Sequence, residues 1–561
     1  MKTLLKNGSV VNLFSETIEK ENILIEDGLI IGVGDYTDTD ADTVEDISGK
    51  TVVPGLIDSH IHIESTMLTP KELAKVCLMH GTTAIVADPH EIANVCGTDG
   101  ISYMLQASEG LPLNVYLTLP SCVPATPSDE SGATLLAEDL LPFYEHKRVV
   151  GLAEMMNYPG VLAKDVMVMN KIKDAKEKGK IVDGHAPLLS GRSLDAYLAA
   201  GIGSDHECSM LDEALEKLKK GQHIMIRQGT AAKNLHGLLG LFEPPYCYRC
   251  LLATDDRHPS DLLREGHIDH IIRLAVKEGK SAIKAIRMAT LQAAEYFGLR
   301  GRGAVAPGYT ADLLVLDDLD SFTISDVYVA GVKQVSGNIV RDFSSGKIDK
   351  ALLDKVYQSF HLKELSETDF CLDPKSKTCR VIQVIPGELL TEEKRMDIDW
   401  DKANGIDTAR DILKLAVIER HHDTGHIGLG FISGIGLSRG AIASSVSHDS
   451  HNIIVIGTNE NDMAVAANHI RTSGGNVVVL DGKILAEMPL PIAGLMADAS
   501  AEEVAAQNEA VRDAVTFLGV NDNIEPFMNM AFVSLSVIPY LKMTTKGLID
   551  VIKQEFVPLY T

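Results

Sequence analysis

The sequence predicts an α/β fold built on a parallel barrel of alternating strands and helices. Two observations lead to this prediction. Short apolar runs recur through the first half of the chain, and each ends in a histidine or a carboxylate. Helix-like stretches separate several of these runs, for example residues 162–178 and 211–220. A repeated order of strand, polar residue and helix is typical of a (β/α)8 TIM-like barrel, whose strand ends converge on one face.

The first polar strand end is His60-Ile61-His62, which follows the apolar run within residues 51–57. Side chains at positions i and i+2 of a strand point to the same side, so both imidazoles would face one point. Neutral imidazole is a common ligand of divalent metals, and the pair therefore indicates a metal site. An ordinary pair of core or surface histidines is the alternative.

Four further strand ends carry residues of the same chemical kind. Each has a structural alternative when taken singly, as a helix cap, a packed core histidine or a turn residue. Taken together and in this order, the residues are enough to hold two divalent ions with open positions. We therefore predict as metal ligands His60, His62, Glu154, His185, His206 and Asp255.

Longer stretches around these residues resemble a known family. The stretches are 54–70, which contains His-Ile-His-Ile-Glu-Ser-Thr-Met, then 88–97, 184–191, 204–208, 253–261, 419–430, 447–452, 526–531 and 541–545. With the order of the ligands, they are similar to the amidohydrolase superfamily and, within it, to the adenine deaminases of the bacterial type. The likeness covers nearly the whole chain.

The resemblance implies hydrolytic deamination of adenine to hypoxanthine and ammonia, a step of purine salvage, by a metal-activated hydroxide that attacks C6. It also implies two divalent ions, with Mn²⁺ or Fe²⁺ ahead of Zn²⁺. Glu154 would stand where many members of the superfamily have a carboxylated lysine. Asp255 would take the proton of the nucleophilic water and hand it to the leaving ammonia.

Other residues are candidates for substrate contact or for support of the ligands: Glu64, His90, Glu91, His421 and His422. His90 and Glu91 follow an apolar run at 84–87, and a helix-capping or supporting role is the alternative for both. The two C-terminal histidines belong to a group with His426, His448 and His451. This group would close the pocket over the barrel mouth or line a subunit contact.

Two other functions stay open as alternatives. One is a metal-dependent N-acyl or cyclic-amide hydrolase, for example an enzyme similar to N-acetylglucosamine-6-phosphate deacetylase. Such a phosphorylated substrate requires a basic cluster near the barrel mouth, which Arg227, Arg249, Arg257 and His258 could supply. The other is a scaffold that has lost activity, against which the complete ligand set argues. The zinc-deaminase pattern H-x-E with P-C-x-x-C has a partial match in 62–64 and 247–250. These two pieces lie far apart in the sequence, so we interpret the match as accidental.

Composition agrees with a large enzyme. The chain has 561 residues, is 45% hydrophobic and carries a net charge of −26. Such an acidic chain is a poor partner for nucleic acid, and no apolar run is long enough to suggest a membrane span. Eight scattered cysteines suit reduced thiols, and no secretory leader is evident, so we expect a cytoplasmic protein. A homo-oligomer, a dimer or higher, is expected by default.

We expect three structural regions. The resemblance implies that residues 1–53 and 301–370 together form a small flanking β-sandwich around the barrel, which spans 54–300. Residues 380–561 are expected to form a mixed α/β domain. Its predicted strands are 381–385, 415–418, 427–431, 453–456 and 477–480, and its predicted helices are 462–470 and 502–518. Asp27-Gly28 predicts a hairpin turn near the amino terminus.

Overall fold

Five strands precede the barrel in the computed structural model, which describes residues 2–230, 232–386, 390–521 and 523–561. They are β1 (Lys2–Asn12), β2 (Thr17–Glu26), β3 (Leu29–Gly34), β4 (Thr43–Asp46) and β5 (Thr51–Pro54). The predicted hairpin is confirmed, since Glu26 of β2 pairs with Leu29 of β3 across Asp27 and Gly28. Both turn residues have positive φ, 50° and 81°, as a two-residue hairpin loop of this hand requires.

Eight parallel strands form the barrel. They are β6 (Leu56–Ile61), β7 (Thr82–Ala87), β8 (Asn114–Leu119), β9 (Val149–Met155), β10 (Ile181–Gly184), β11 (Ser204–Asp205), β12 (His223–Arg227) and β13 (Cys250–Ala253). β6 to β10 pair in sequence order, as do β11 to β13. The Gly203 amide donates to the Val182 carbonyl at 2.8 Å between these groups, and the Asp255 amide donates to the His60 carbonyl at 2.9 Å, which closes the ring. The predicted barrel is confirmed.

Twelve helices accompany these strands in the described part of the chain. They are α1 (Pro70–Met79), α2 (His90–Ala107), α3 (Ala137–Leu140), α4 (Tyr158–Ala163), α5 (Val166–Glu177), α6 (Gly191–Ala200), α7 (Leu211–Lys219), α8 (Leu235–Leu238), α9 (Pro259–Glu265), α10 (Ile268–Lys277), α11 (Ala282–Met288) and α12 (Leu291–Tyr296). The stretch 162–178 is not one helix, because Lys164 takes a left-handed conformation that ends α4. The Asp165 carboxylate then caps α5 by accepting from two amides of its first turn.

Four strands follow the barrel: β14 (Leu313–Asp318), β15 (Thr323–Val329), β16 (Val332–Ser336) and β17 (Ile339–Val340). β14 pairs antiparallel with β5, so that Leu314 lies opposite Val53. This pairing joins the strands before the barrel and those after it in one nine-stranded sheet. Its buried apolar side chains include Leu5, Val52 and Leu313. Both flanks of the barrel therefore contribute to the same sheet.

The C-terminal region contains a second large sheet of eight strands. The strands are β18 (Thr378–Val384), β19 (Thr391–Asp397), β20 (Leu413–Ile418), β21 (Ile427–Ser433), β22 (Ala441–Ser444), β23 (Ile453–Gly457), β24 (Asn476–Leu480) and β25 (Lys483–Met488). All five predicted strands of this region are present. The sequence pattern missed β19, β22 and β25. β19 and β25 are mostly exposed edge strands, and β22 has only four residues.

Four helices and a small sheet complete this region. The helices are α13 (Lys350–Tyr357), α14 (Glu460–Ser473), α15 (Ala501–Phe517) and α16 (Pro526–Val533), and the strands are β26 (Leu541–Thr544), β27 (Gly547–Asp550) and β28 (Glu555–Phe556). Both predicted C-terminal helices are confirmed. Ser500 and Glu503 form a capping box that starts α15. One buried apolar cluster runs from Leu73 of the barrel helices to Leu413 and Val511, so the C-terminal region packs directly on the barrel.

Short 3-10 helices are found at Asp38–Asp40, Glu64–Thr66, Leu141–Glu145, Leu239–Phe242, Tyr246–Arg249, Glu367–Phe370, Ala403–Gly405 and Thr408–Arg410. None of the helices in the described residues is both long and apolar enough to cross a bilayer.

Candidate active site

The six predicted ligands lie together at the carboxyl ends of the barrel strands. His60 and Glu154 belong to β6 and β9, and His62 follows β6 directly. His185, His206 and Asp255 follow β10, β11 and β13. Five of the six are buried, and His185 is partly buried. The barrel thus brings side chains from distant parts of the sequence to one place, the face where such barrels carry their active sites.

Glu154 is at the centre of this cluster. Its Oε1 lies 3.3 Å from Nε2 of His62, and its Oε2 lies 2.6 Å from Nδ1 of His185. Nε2 of His206 is 3.2 Å from the same Oε2. Burial raises the pKa of Glu154, but the neighbouring His185 and His206 imidazoles outweigh burial and hold that pKa well below its usual range. Glu154 is therefore an ionised carboxylate shared between two groups of histidines.

Asp255 approaches the same centre from β13. Its Oδ1 lies 3.4 Å from Nε2 of His60 and 3.3 Å from Nε2 of His62. Its Oδ2 accepts a hydrogen bond from Nη1 of Arg227 at 2.7 Å. Burial raises the pKa of Asp255, but the positive charge of Arg227 and the histidine contacts keep it well below the ordinary range. The carboxylate is thus ionised and has one oxygen directed to the histidines.

Two of the imidazoles present a nitrogen that suits a metal ion. His62 Nδ1 lies 3.1 Å from the Asp88 carbonyl, which places the proton on Nδ1 and leaves the Nε2 lone pair towards Glu154 and Asp255. His60 Nε2 is buried and has no hydrogen-bond partner among the described residues. Burying such a nitrogen without a partner is costly unless a ligand pairs with it.

The donor set fits divalent metal ions. Nitrogen and oxygen atoms lie within 4.8 Å of one another in overlapping groups: His60 with Glu154 and His206; His60 with His62 and Asp255; and His62 with Asp88, His90 and Glu154. Imidazoles combined with carboxylates are the ligands that borderline and hard divalent ions take in proteins. The cluster offers enough atoms for more than one ion, with Glu154 common to two groups.

Two residues at the site, Glu207 and Asp88, were missed from the sequence, and a third, Arg227, was considered only for a phosphate-binding cluster. Glu207 lies beside the cluster, with Oε1 3.3 Å from Nε2 of His206, and it forms an ion pair with Arg227. Arg227 ends β12 and lies at a barrel strand end, where it contacts Asp255 and does not take part in the phosphate-binding cluster considered above. The Asp88 carboxylate accepts from Nδ1 of His90 at 2.9 Å. Adjacency to His206 and position at a strand end were the signals that could have identified Glu207 and Arg227.

The candidates Glu64, His90 and Glu91 all lie near the cluster. His90 Nδ1 is 3.7 Å from Oε1 of Glu154. Glu64 Oε1 accepts from the Ile92 amide at 3.0 Å, whereas Oε2 is buried without a partner among the described residues. Burial raises the pKa of Glu64 to about 7. Glu91 lies in the first turn of α2, and its carboxylate contacts His448 of the C-terminal region.

The C-terminal histidines divide into two sets. His448 and His451 both pair with Glu91, the first through Nδ1 at 2.6 Å from Oε1. Together these three form a further buried cluster of metal-ligand type next to the barrel mouth. Asp449 lies between them in sequence, with Oδ1 3.9 Å from Nε2 of His90. Burial raises the pKa of Asp449 to about 7. A segment of the C-terminal region thus reaches the active site.

The other set consists of His421 and His422, which contact backbone carbonyls, and of His426, which contacts a carboxylate. His421 Nε2 lies 2.7 Å from the Ser450 carbonyl, and His422 Nε2 lies 3.0 Å from the Ser131 carbonyl. His426 is exposed and pairs with Glu130 at 2.8 Å. His421 therefore supports the segment that carries Asp449, while His422 and His426 link the C-terminal region to the loop around residue 130.

The competing motifs are not assembled into sites. Cys250 starts β13 at the end of the barrel opposite to Asp255, so the C-x-x-C pair is separated from the histidine cluster by the length of the strand. Arg227 is paired with Glu207 and Asp255. Arg257 is fully buried and pairs with Glu265, and Arg249 is in the turn before β13. These arginines do not form a common phosphate-binding cluster.

Residues 51–340 match the family model of the amidohydrolases. The fold, the strand-end ligands and this match define the chain as an amidohydrolase, a class that depends on bound metal. Residues 388–555 match a second family model, the adenine deaminase C-terminal domain.

Curated relatives are similar along the whole chain. An adenine deaminase from Desulfatibacillum aliphaticivorans is 46% identical over 559 residues, 99% of this chain and 97% of that protein. Adenine deaminase 2 from Carboxydothermus hydrogenoformans is 45% identical over 560 residues, 99% of this chain and 96% of that protein. The chain belongs to the adenine deaminase family, and the resemblance noted in the sequence is confirmed.

Proposed function

We propose that this protein hydrolyses adenine to hypoxanthine and ammonia as a step of purine salvage. The observation that carries the proposal is the likeness to adenine deaminases over the full chain, which includes the C-terminal domain as well as the barrel. The convergence of His60, His62, Glu154, His185, His206 and Asp255 at one strand-end face supports it. Water adds to C6 of the base, and the C6–N bond then breaks to release ammonia.

Six residues would hold two divalent ions: His60, His62, Glu154, His185, His206 and Asp255. Bound there, such ions would supply a water of lowered pKa as the nucleophile at neutral pH. The mixture of imidazole and carboxylate ligands suits Mn²⁺, Fe²⁺ or Zn²⁺. The likeness to the adenine deaminases favours Mn²⁺ or Fe²⁺ over Zn²⁺. Glu154 would serve both groups of ligands, because its two oxygens face different histidines.

Asp255 carries the protons in this proposal. Its ionised carboxylate accepts the proton of the attacking water as the C6–O bond forms. The same group then donates that proton to the leaving nitrogen, so that ammonia and a neutral product result. Arg227 fixes the carboxylate through Oδ2 and leaves Oδ1 for the proton. Glu64, His90 and Glu91 would contact the base or support the ligands.

A metal-dependent hydrolase of N-acyl groups or cyclic amides is the second candidate, because the same strand-end ligands serve such reactions. Arg227, Arg249 and Arg257 are each engaged by other groups of the protein, namely Asp255, the Gly221 carbonyl and Glu265, which argues against a phosphorylated substrate. Incubation of the metal-loaded protein with N-acetyl sugars and cyclic amides tests this candidate directly.

We further propose that residues 1–53 with 301–370, 54–300 and 380–561 act as three domains, and that the protein is a cytoplasmic homo-oligomer. Light scattering coupled to gel filtration gives the oligomeric state. Cell fractionation gives the location. Limited proteolysis followed by mass spectrometry tests the division, since cleavage is expected near residues 370–380.

The hydrolytic step can be tested with adenine in water labelled with heavy oxygen. The proposal predicts one heavy oxygen per molecule of hypoxanthine and one ammonia released for each adenine consumed. Conversion of adenine without incorporation of solvent oxygen would contradict a hydrolytic mechanism.

A further inference from the structure

The segment between β22 and β23, residues 445–452, brings part of the C-terminal region to the barrel mouth. Ser447, His448, Asp449, Ser450 and His451 are all buried there. His451 Nδ1 accepts from the Ser447 amide at 3.2 Å, which places its proton on Nε2, next to a Glu91 oxygen. With the proton on Nε2, His451 acts as a hydrogen-bond donor to the barrel and not as a metal ligand.

His448 also contacts Glu91 and in addition packs on an aromatic ring. Its Nδ1 donates to Glu91 Oε1 at 2.6 Å, and its ring stacks on Phe532 with centroids 4.6 Å apart and an angle of 24°. Phe532 belongs to a small apolar cluster with Met528 and Leu535. Glu91 and Phe532 therefore hold His448, the residue before Asp449, from two sides.

Asp449 itself lacks the partner that its burial demands. Its side chain is 4% exposed, and Oδ2 has no hydrogen-bond partner within the described ranges. Oδ1 is 3.9 Å from Nε2 of His90, too far for a hydrogen bond. Buried carboxylates without partners are rare in folded proteins, because desolvation is not offset by bonding. A ligand that donates a proton to Asp449 would supply the missing bond.

The position of Asp449 relative to the predicted metal-binding residues indicates which atom of the bound base would donate this hydrogen bond. His90 reaches Glu154 with Nδ1, at 3.7 Å, and faces Asp449 with Nε2. The His90 ring, with a gap of 3.7 Å on one side and 3.9 Å on the other, thus lies between Glu154 and Asp449. In a purine whose C6 faces Glu154 and Asp255, the five-membered ring extends away from the reacting carbon. A free base carries an N–H on that ring, whereas a nucleoside has lost it to the sugar.

We propose that Asp449 is a specificity-determining residue that accepts a hydrogen bond from the imidazole-ring N–H of the purine, so that the site selects the free base over substituted purines. The inference rests on the proposed function and adds a role for the C-terminal region. A site built to bond an N–H rejects an analogue that lacks it, because the buried acceptor is then left unpaired. Asp449 would provide base selectivity that the barrel ligands do not.

The test measures binding by calorimetry, with metal-loaded protein and two ligands of the same shape. One ligand is purine, and the other is an oxazolopyrimidine in which oxygen replaces the N9–H. We expect wild-type protein to bind purine about 100-fold more tightly, the discrimination that a hydrogen bond to a buried charged group provides. Asp449→Leu should weaken purine binding to the level of the oxazolopyrimidine and leave the latter unchanged within about threefold. Asp449→Asn, which keeps a neutral acceptor, should recover part of the difference.

Asp462→Asn is the matched control, because Asp462 is an equally buried carboxylate of the same region that accepts amides at the turn 481–482. Its discrimination between the two ligands should equal that of the wild type. Equal weakening of both ligands by Asp449→Leu, or no discrimination by the wild type, would overturn the inference. Adenine turnover by the wild type is measured separately: its absence would overturn the proposed function, whatever the binding pattern.

Discussion

Arg227 Nη1 lies 2.7 Å from Oδ2 of Asp255, and the same guanidinium pairs with Glu207. One arginine at the end of β12 thus fixes both the predicted proton carrier and a carboxylate that borders His206. Asp255 accepts a hydrogen bond from Arg227 through Oδ2 and faces the histidines with Oδ1. The two oxygens of the carboxylate therefore have different functions. The order of the strands in the barrel makes this possible, since β12 and β13 are neighbours.

Arg227→Gln should move the pH profile of turnover. The positive charge of Arg227 helps to hold the pKa of Asp255 low, so its loss raises that pKa. The base form would then be lost at a higher pH, and the acidic limb of the kcat/KM profile should shift upwards. We expect kcat/KM at neutral pH to fall roughly 10–100-fold, in the range of a general-base defect.

Steady-state kinetics across the pH range, with metal content measured on each sample, checks this prediction. Arg249→Gln serves as the control, because Arg249 is exposed and donates to the Gly221 carbonyl at the other end of the barrel. An unchanged acidic limb in Arg227→Gln would show that the arginine does not tune Asp255.

Asp255→Asn should abolish turnover, by about 10³-fold or more, because an amide cannot accept the proton of water. Metal content should remain near that of the wild type, since four histidines and Glu154 are unchanged. Ammonia release and elemental analysis of the same preparation give both values. Substantial turnover in this variant would remove Asp255 from the mechanism.

Lys217 connects the two loops that carry the predicted ligands His185 and His206, and it should matter for stability. Its Nζ donates to Asp205 at 2.8 Å, to the Ala186 carbonyl at 2.8 Å and to Glu213 at 2.7 Å, and the side chain is fully buried. Asp205 and Ala186 are direct neighbours of His206 and His185. Lys217→Met leaves two buried carboxylates without their cation, which costs about 3–5 kcal/mol of unfolding free energy.

The unfolding midpoint in urea, together with adenine turnover, tests the Lys217 prediction. Lys220→Met is the matched control one turn further on, where the partly exposed ammonium pairs with Asp195 and Glu216. The control should cost no more than about 1 kcal/mol. Equal midpoints for the two variants would refute the structural role of Lys217.

Chelation should remove activity and lower thermal stability together. Several imidazoles and carboxylates are buried side by side in the cluster, and a bound cation would stabilise this arrangement. An ion that binds only the folded state raises the free energy of unfolding of the protein. Back-titration with Mn²⁺ should restore both properties at two ions per chain. Full recovery of activity at one ion per chain would contradict a two-ion site.

The sequence was sufficient to predict the barrel and its six strand-end residues because both follow from local patterns. The apolar run before His60 and the run before Glu154 mark parallel strands, and parallel strands end on one face. The break at Lys164 was not predictable, since a left-handed lysine has no strong sequence signal. Glu207 was missed and Arg227 was considered only for a phosphate-binding cluster, because their contact with each other is visible only in the folded chain.

The C-terminal region illustrates the same limit. Its histidines were visible in the sequence, but nothing in their spacing separates His448 and His451, which reach Glu91, from His421 and His422, which bond backbone carbonyls. Asp449 was not predicted as a site residue, because nothing in the sequence distinguishes it from the other aspartates. Its importance arises from burial without a partner, a property of the folded chain alone.

The most direct test of the central claim is the loss of adenine absorbance on incubation with the Mn²⁺-loaded protein, with ammonia and bound metal quantified on the same sample. The account predicts one hypoxanthine and one ammonia for each adenine consumed, with two ions bound per chain. Two bound ions without conversion of adenine would contradict the substrate, and conversion by fully metal-free protein would contradict the role of the histidine and carboxylate cluster.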